Sequence, residues 1–393
     1  SGFSGKVATT EATRDLCGAM LPDSAHIQEE DAKFMTKIHR KKGLPRVRPL
    51  YTTEDAEKAL ERFEGYPYHE RIDLGGGNAV TFYDAGHVLG SAVPLIELKN
   101  GGGTIRVAYA VDLGRKHIPI LRDPEAPPDI DYLFLESTYG GRLHASIEEA
   151  EDRLAEVVGA TIERGGKIIV PSFALERTQE IVYFLSKLFA DGRLPEIPVF
   201  VDSPLAVNVT DIFRQHPECY DAEMRESIKN GVDPFGTRRI QYITDVEDSK
   251  ALNYSDRPMI IISASGMCEA GRILHHLKNN IENPKNTILI VGYMARNTLG
   301  RRIVEKHERV KIFGEEYALR AEVEVMNAFS AHADRRNLLD YALGYKGRVK
   351  KIFIVHGDED QSEKLHLLLR EHGLPSPVSY THLRAHETVL DLV

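Results

Sequence analysis

Apolar positions in the first third of the chain recur at spacings of three and four over Glu11–Leu21 and Ala25–Ile38, which predicts two helices. A basic connector with Lys41 and Lys42, punctuated by glycine and proline, leads to a further helix near Thr53–Phe63. The period then falls to two. Ala79–Asp84, Ala92–Lys99 and Thr104–Val111 read as strands, the last two joined by the glycine-rich hairpin Asn100–Gly103, and Tyr132–Leu135 reads as another. From about Ser146 the pattern becomes strand–helix alternation. Apolar strands at Lys167–Pro171, Val199–Asp202, Met259–Ser263 and Thr287–Val291 are separated by helices near Ile147–Arg164, Thr178–Phe189, Gly271–Asn279 and Leu299–Lys306. That alternation predicts a parallel, doubly wound sheet. After Val310 the β-rich style resumes with Val310–Phe313, Glu322–Met326, a helix at Arg335–Tyr341 and the strand Lys351–Val355. The order β-rich, α/β, β-rich suggests one domain interrupted by another. No internal repeat or low-complexity tract is visible.

Composition narrows the class. The 393 residues leave room for two to three domains, and 42% hydrophobic with 28% charged residues is ordinary for a globular protein. The longest apolar runs, such as Met259–Ile262 and Ile352–Val355, are strand-sized, so no membrane span is expected. Cys17, Cys219 and Cys268 form neither a disulfide framework nor a metal knuckle, and a reducing cytoplasm is the expected home. A net charge of −9 argues against a protein that coats polyanions, but not against nucleic acid held in a local cleft. Sixteen histidines in a chain without tryptophan direct attention to their positions.

Five short stretches repeat one design: a strand, then His, Asp or Glu, then a small or turn residue. They are Gly86-His87-Val88-Leu89-Gly90-Ser91-Ala92, Ala110-Val111-Asp112-Leu113-Gly114-Arg115, Phe134-Leu135-Glu136-Ser137-Thr138-Tyr139-Gly140, Ala328-Phe329-Ser330-Ala331-His332-Ala333-Asp334 and Ile352-Phe353-Ile354-Val355-His356-Gly357-Asp358. Each alone has a plain reading as a turn cap or a satisfied polar residue at a strand end. Together they read as one site, because strand ends on one sheet edge converge. Asp112 could cap its turn or bridge two cations, since a carboxylate offers two oxygens.

These stretches resemble, in order and approximate separation, the motifs of the metallo-β-lactamase-fold nucleases with an inserted β-CASP domain. Pro171–Gln179, Asp202–Ala206, Ser265–Gly271 and Gly292–Gly300 resemble that family's insert landmarks, and Ser24–Ala32 resembles its bacterial group. The resemblance implies an α/β (α+β) chain: a metallo-β-lactamase αββα sandwich, incomplete here, interrupted by a doubly wound β-CASP insert. The implied bounds are 1–140 and 319–376 for the sandwich and 141–318 for the insert. It implies a zinc-dependent RNA phosphodiester hydrolase with RNA held between the domains. His87 would bind a first Zn²⁺, Asp112 would bridge to a second and His356 would bind that second ion. Glu136 would orient His332, and His332 would serve the scissile phosphate or leaving group, making Glu136, His332 and Asp112 the catalytic candidates.

Two departures qualify the match. The family's zinc loop, His-x-His-x-Asp-His, occurs nowhere in the sequence, so the chain is expected to begin after it, to provide an incomplete site for the usual two ions and to be inactive by itself. Residues 377–393 fit neither family nor pattern, and Ser379–Thr388 resembles a translated sequencing-adapter tail. His382 and His386 are therefore left out of the site.

Further positions suit phosphate. Arg177 and Thr178 open a helix after a strand, Ser263, Ser265 and Gly266 lie on a strand-to-turn loop, and Arg296 and Arg301 add positive charge. The adjacent pair His275 and His276 points in directions about 100° apart on a helix and is expected to serve surface and packing. Two other readings stay open: a small-molecule metallo-hydrolase of the same fold, and a non-catalytic protein that binds RNA or a nuclease partner. Endo- or exonucleolytic action is undetermined, and a homodimer is left open.

Overall fold

The computed structural model of the chain describes residues 3–236, 239–375 and 378–379. His382 and His386 lie outside them.

One sheet of seven strands runs in the order Val378–Ser379, Lys351–Val355, Tyr132–Glu136, Gly103–Ala110, Ala92–Asn100, Asn78–Asp84, Arg71–Gly75. The last four form an antiparallel meander, and the strands from Gly103–Ala110 to the Val378 edge are parallel. This topology makes the site. Ala110 is level with Leu135 and Val355 with Glu136, so three parallel neighbours end on one edge of the sheet. Asn78–Asp84, two antiparallel steps further on, ends there as well. One face of the sheet is closed by Leu338, Tyr341, Ala342, Leu365 and Leu369 of helices Arg335–Leu343 and Glu359–Glu371, packed on Leu133, Leu135, Ile352 and Ile354. On the alternate positions Phe134 stacks on Phe353 at 4.8 Å and meets Tyr109 at 5.8 Å; Tyr109 is exposed.

The second sheet has six parallel strands in the order Ile240–Ile243, Val199–Asp202, Ile260–Ser263, Ile168–Pro171, Thr287–Ile290, Glu322–Val325. Ile168, Val170, Ile260 and Ile262 enter one core with Ile181, Leu185 and Val209, while Ile169, Ile261 and Ile288 enter another with Ile273, Leu277 and Ile303. A strand buried on both faces has no polar alternation to show, which is why these runs read as continuous apolar stretches. Helix Ile147–Glu163 begins with a capping box, Ser146 and Glu149 satisfying each other's backbone amides, a device worth about 1 kcal/mol.

Four expectations need correction. Glu11–Lys41 is one 31-residue helix with Pro22 inside it, not two. Pro22 removes one backbone bond and crowds the carbonyl four residues back, which belongs to Gly18, a residue with no side chain in open surroundings. The helix near Thr53–Phe63 stops at Leu60, and Phe63–Tyr66 pairs with Val7–Thr10 as a small parallel sheet. Strand Glu322–Val325, assigned above to the second stretch of the sandwich domain (319–376), instead extends the insert's sheet beside Thr287–Ile290. Its pattern of half-buried positions is that of an edge strand and carries no mark of which sheet it joins. Finally, Val378–Ser379, inside the segment 377–393 read as foreign, adds to the seven-stranded sheet beside Phe353–Ile354.

Candidate active site

The site grows from loops at the shared strand edge. After Asp84 the chain turns at Gly86, and the Ser91 hydroxyl accepts the amides of His87 (3.1 Å) and Val88 (3.2 Å). The serine and glycines of the His87 stretch thus hold the histidine's backbone. The Asp112 loop packs on this one so closely that a Cβ on Gly114 would stand 1.8 Å from the Gly86 carbonyl oxygen. Only glycine fits there. Gly114 donates to the Ala85 carbonyl at 2.8 Å, and Ala333 donates to the Leu113 carbonyl at 2.7 Å, which locks the His332 loop to both. Asp112 and His356 have φ of 57° and 51°, a left-handed backbone rarely adopted by side-chain-bearing residues and concentrated at functional sites.

The side chains converge. Glu136, fully buried, accepts the Leu113 amide and lies 3.0 Å from His332 Nδ1. Asp112 Oδ1 is 3.1 Å from His356 Nε2 and 3.9 Å from His332 Nδ1. The His87 ring centre is 4.4 Å from that of His332, and His332 is 5.9 Å from His356. Ligand atoms of His87, Asp112 and His332 lie within 4.8 Å of one another. The five residues found at strand ends therefore occupy one small volume.

Electrostatics separate them. Burial, then the neighbouring His332, push the His87 pKa down to about 4, so its ring is neutral at pH 7 and carries a free lone pair. His87 Nδ1 is buried without a hydrogen-bond partner, a costly state that a bound cation would relieve. Burial opposes protonation of His332, but the hydrogen bond and charge of Glu136 outweigh it and raise its pKa. A neutral imidazole, a half-exposed carboxylate and a second imidazole at its edge form a nitrogen–oxygen donor set that fits zinc.

Three supporting residues were missed. His144 donates from its ring to the His332 carbonyl at 3.2 Å, and burial lowers its pKa to about 4. Arg115 donates to the carbonyls of Ala328 and Ala145, tying the Asp112 loop to both chain crossings. Glu176, on the insert, is buried and accepts the Leu89 amide inside the His87 loop at 3.1 Å. Burial and then the charge of Glu180 push its pKa up to about 8. Only the strand-to-helix junction at Glu176 gave a signal, and it pointed to phosphate rather than to the neighbouring domain.

The loops of His87, Thr138–Arg142, His332 and His356 floor a cleft of about 860 Å³ whose opposite wall comes from the insert; Asp112 and Glu136 are not among its lining residues. Of the positions read for phosphate, Arg177, Ser265 and Gly266 line it; Thr178, Ser263, Arg296 and Arg301 are not among its lining residues. Arg177 is buried in an ion pair with Glu180. The amides of Arg177 and Thr178 are spent on the carbonyls of Leu175 and Phe173, so this helix start does not offer them to an anion. The Thr178 and Ser263 hydroxyls are likewise engaged, with the carbonyls of Phe173 and Asp202. Arg301 pairs with Glu305 on the surface. His276, expected on the surface or in packing, is fully buried against Asp202 at 2.6 Å.

A Beta-Casp domain model matches residues 178–303, and a model described as the Zn-dependent metallo-hydrolase RNA specificity domain matches 316–379. The chain is 34% identical over 373 residues to Ribonuclease TTHA0252 of Thermus thermophilus, covering 95% of this chain and 80% of that protein. It belongs to the β-CASP family of metallo-β-lactamase-fold RNA nucleases. Other β-CASP relatives include Transcription termination factor FttA of Pyrococcus horikoshii, 32% identical over 367 residues, covering 91% of this chain but 53% of the relative. An RNase J-like protein of Methanocaldococcus jannaschii is 31% identical over 315 residues, 79% of this chain and 71% of the relative. The chain thus spans about half the length of that termination factor. The second model reaches Ser379, in accord with the edge strand there. Among the described residues no helix is long and apolar enough to cross a membrane.

Proposed function

We propose that this β-CASP chain carries the proton-handling pair and part of the metal-binding set of a zinc-dependent RNA phosphodiester hydrolase, with RNA held in the cleft between the two domains. The observation that carries this reading is the Glu136–His332 pair beside the unpartnered His87 Nδ1 and the Asp112–His356 contact. His87, Asp112 and His356 would hold the metal, and a bound zinc supplies an acidified water and positive charge opposite the phosphate. Glu136 fixes the His332 ring through Nδ1, leaving Nε2 to give a proton or a charge-assisted hydrogen bond to the departing ribose oxygen. His144, bonded to the His332 carbonyl, steadies the same loop.

A complete family site takes two ions; His87, Asp112 and His356 are three donors, the number that holds one catalytic zinc, while His332, also within 4.8 Å of His87 and Asp112, is kept for the proton. Three free cysteines fit a reducing cytoplasm. A homodimer is compatible with this reading but not needed, since every residue named comes from one chain.

The test has two readouts. Zn²⁺ competition against a chromophoric chelator should give one bound ion, lost in His87→Ala and Asp112→Ala. Labelled single-stranded RNA should be left intact by this chain and cut, in a chelator-sensitive manner, by the chain extended with the family's His-x-His-x-Asp-His segment. Cutting by the unextended chain at the extended chain's rate would sink the mechanism.

A further inference from the structure

The insert's side of the cleft differs chemically from its metal floor. Phe173 follows strand Ile168–Pro171 by two residues, and Tyr293 follows Thr287–Ile290 by three. These strands are direct neighbours, so the two residues follow adjacent strand ends at one edge of the insert's sheet. Both line the cleft, and both are exposed, Phe173 at 43% and Tyr293 at 53%. Lone exposed apolar residues need no explanation. Here a third strand end holds one of the rings in place. A Cβ on Gly266, just past strand Ile260–Ser263, would stand 2.7, 2.8 and 2.9 Å from three consecutive ring atoms of Phe173. Near-equal distances to adjacent atoms place that point over the ring's face, not its edge. Phe173 therefore lies on the glycine with one face while the ring stays open to the cleft. Gly266, read above as a phosphate contact, is required by the ring.

On the same wall Arg177 is paired with Glu180, and the amides of Arg177 and Thr178 and the Thr178 hydroxyl are engaged within the insert. Charge for a backbone comes from elsewhere on the rim, where Arg142 is exposed beside the His332 loop.

We infer that Phe173 and Tyr293 form a nucleobase-stacking platform that seats unpaired bases of single-stranded RNA, with Gly266 fixing the Phe173 ring. The inference rests on the proposed RNA substrate. Stacking needs a base out of its duplex and tolerates any sequence, because every base has a π-face.

Fluorescence anisotropy in EDTA, with the full chain, tests it. Three probes are compared: a single-stranded 12-nucleotide RNA, the same ribose-phosphate backbone without bases, and a blunt duplex. Phe173→Ala and Tyr293→Ala should each weaken single-strand binding about tenfold and leave the abasic probe unchanged. Phe173→Trp should retain binding. Gly266→Ala, which displaces the ring, should behave like Phe173→Ala at an unchanged melting temperature. Equal losses on base-bearing and abasic probes, or no loss in either alanine variant, would overturn the platform while leaving the RNA reading standing. No binding of any RNA by the unsubstituted chain would overturn both.

Discussion

Among the carboxylate–histidine pairs of the described residues, two have a fully buried carboxylate at the end of a parallel strand, and their surroundings differ. Glu136 lies 3.0 Å from His332, and Asp202 lies 2.6 Å from His276. In the insert both ring nitrogens are occupied, His276 Nδ1 lying 3.0 Å from Asn253 Oδ1, and both residues are sealed from solvent. Ser249 and Arg272 complete the shell around Asp202. In the cleft the carboxylate is sealed, but the histidine is not. Its side chain is 24% exposed, beside His87 and Asp112, with one nitrogen uncommitted. What separates the two pairs is leftover bonding capacity, on which the proposed chemical role of the first rests.

Substitutions should separate the two pairs. His332→Ala in the chain extended with the zinc loop should cut RNA hydrolysis by about 10²- to 10⁴-fold, the usual worth of a positioned acid or base, while leaving the melting temperature nearly unchanged. Steady-state cleavage with thermal melting reads both. His276→Ala should do the reverse. Removing a hydrogen-bond partner of a buried carboxylate costs about 1–3 kcal/mol, softened here because Arg272 still faces Asp202, and urea unfolding measures it. A large activity loss from His276→Ala at full stability would erase the distinction.

This contrast also explains what could be read from the chain. Strand ends followed by His, Asp or Glu and a small residue marked all five cleft residues, because a turn needs small neighbours and the topology converges strand ends. In the insert pair Asp202 carries the same mark, ending a strand before Ser203, but its partner does not. His276 stands beside His275 on a helix, and only the fold shows that one is buried and the other partly exposed to solvent. Glu11–Lys41 was read as two helices although it runs on through Pro22, and Glu322–Val325 was assigned to the wrong sheet because an edge strand does not announce its sheet. Arg177 and Thr178 kept the spacing of an anion site whose donors are consumed locally, which no periodicity reveals.

A subtler test concerns how the insert supports the cleft. Glu176 reaches across from the insert to the Leu89 amide two residues beyond His87. Glu176→Ala should weaken Zn²⁺ binding about tenfold, the lower end for a residue that orients a ligand's surroundings. Glu176→Gln should restore most of it, since an amide oxygen also accepts that N–H. Equal losses in both variants would point to the acid group and not the hydrogen bond.

The smallest expected effect is the dependence of each pair's stability contribution on pH, in the metal-free chain. For His332, Glu136 raises the folded pKa above the ordinary ~6.5 despite burial. Its contribution is fully present below that ordinary value and fades as the pH climbs through the raised one. For Asp202, burial favours the neutral acid, but hydrogen bonds from His276, Ser249 and Arg272 prevail and lower the folded pKa below the ordinary ~3.9. That contribution is present above the ordinary value and is lost as the pH falls through the lowered one. Urea unfolding of the wild-type chain, Glu136→Gln and Asp202→Asn across the accessible pH range compares them. The destabilisation by Glu136→Gln should shrink toward alkaline pH, and that by Asp202→Asn should shrink toward acid pH. Slopes of the same sign would mean that the pairs are held by the same balance of burial and charge, and that the open nitrogen of His332 is not what distinguishes them.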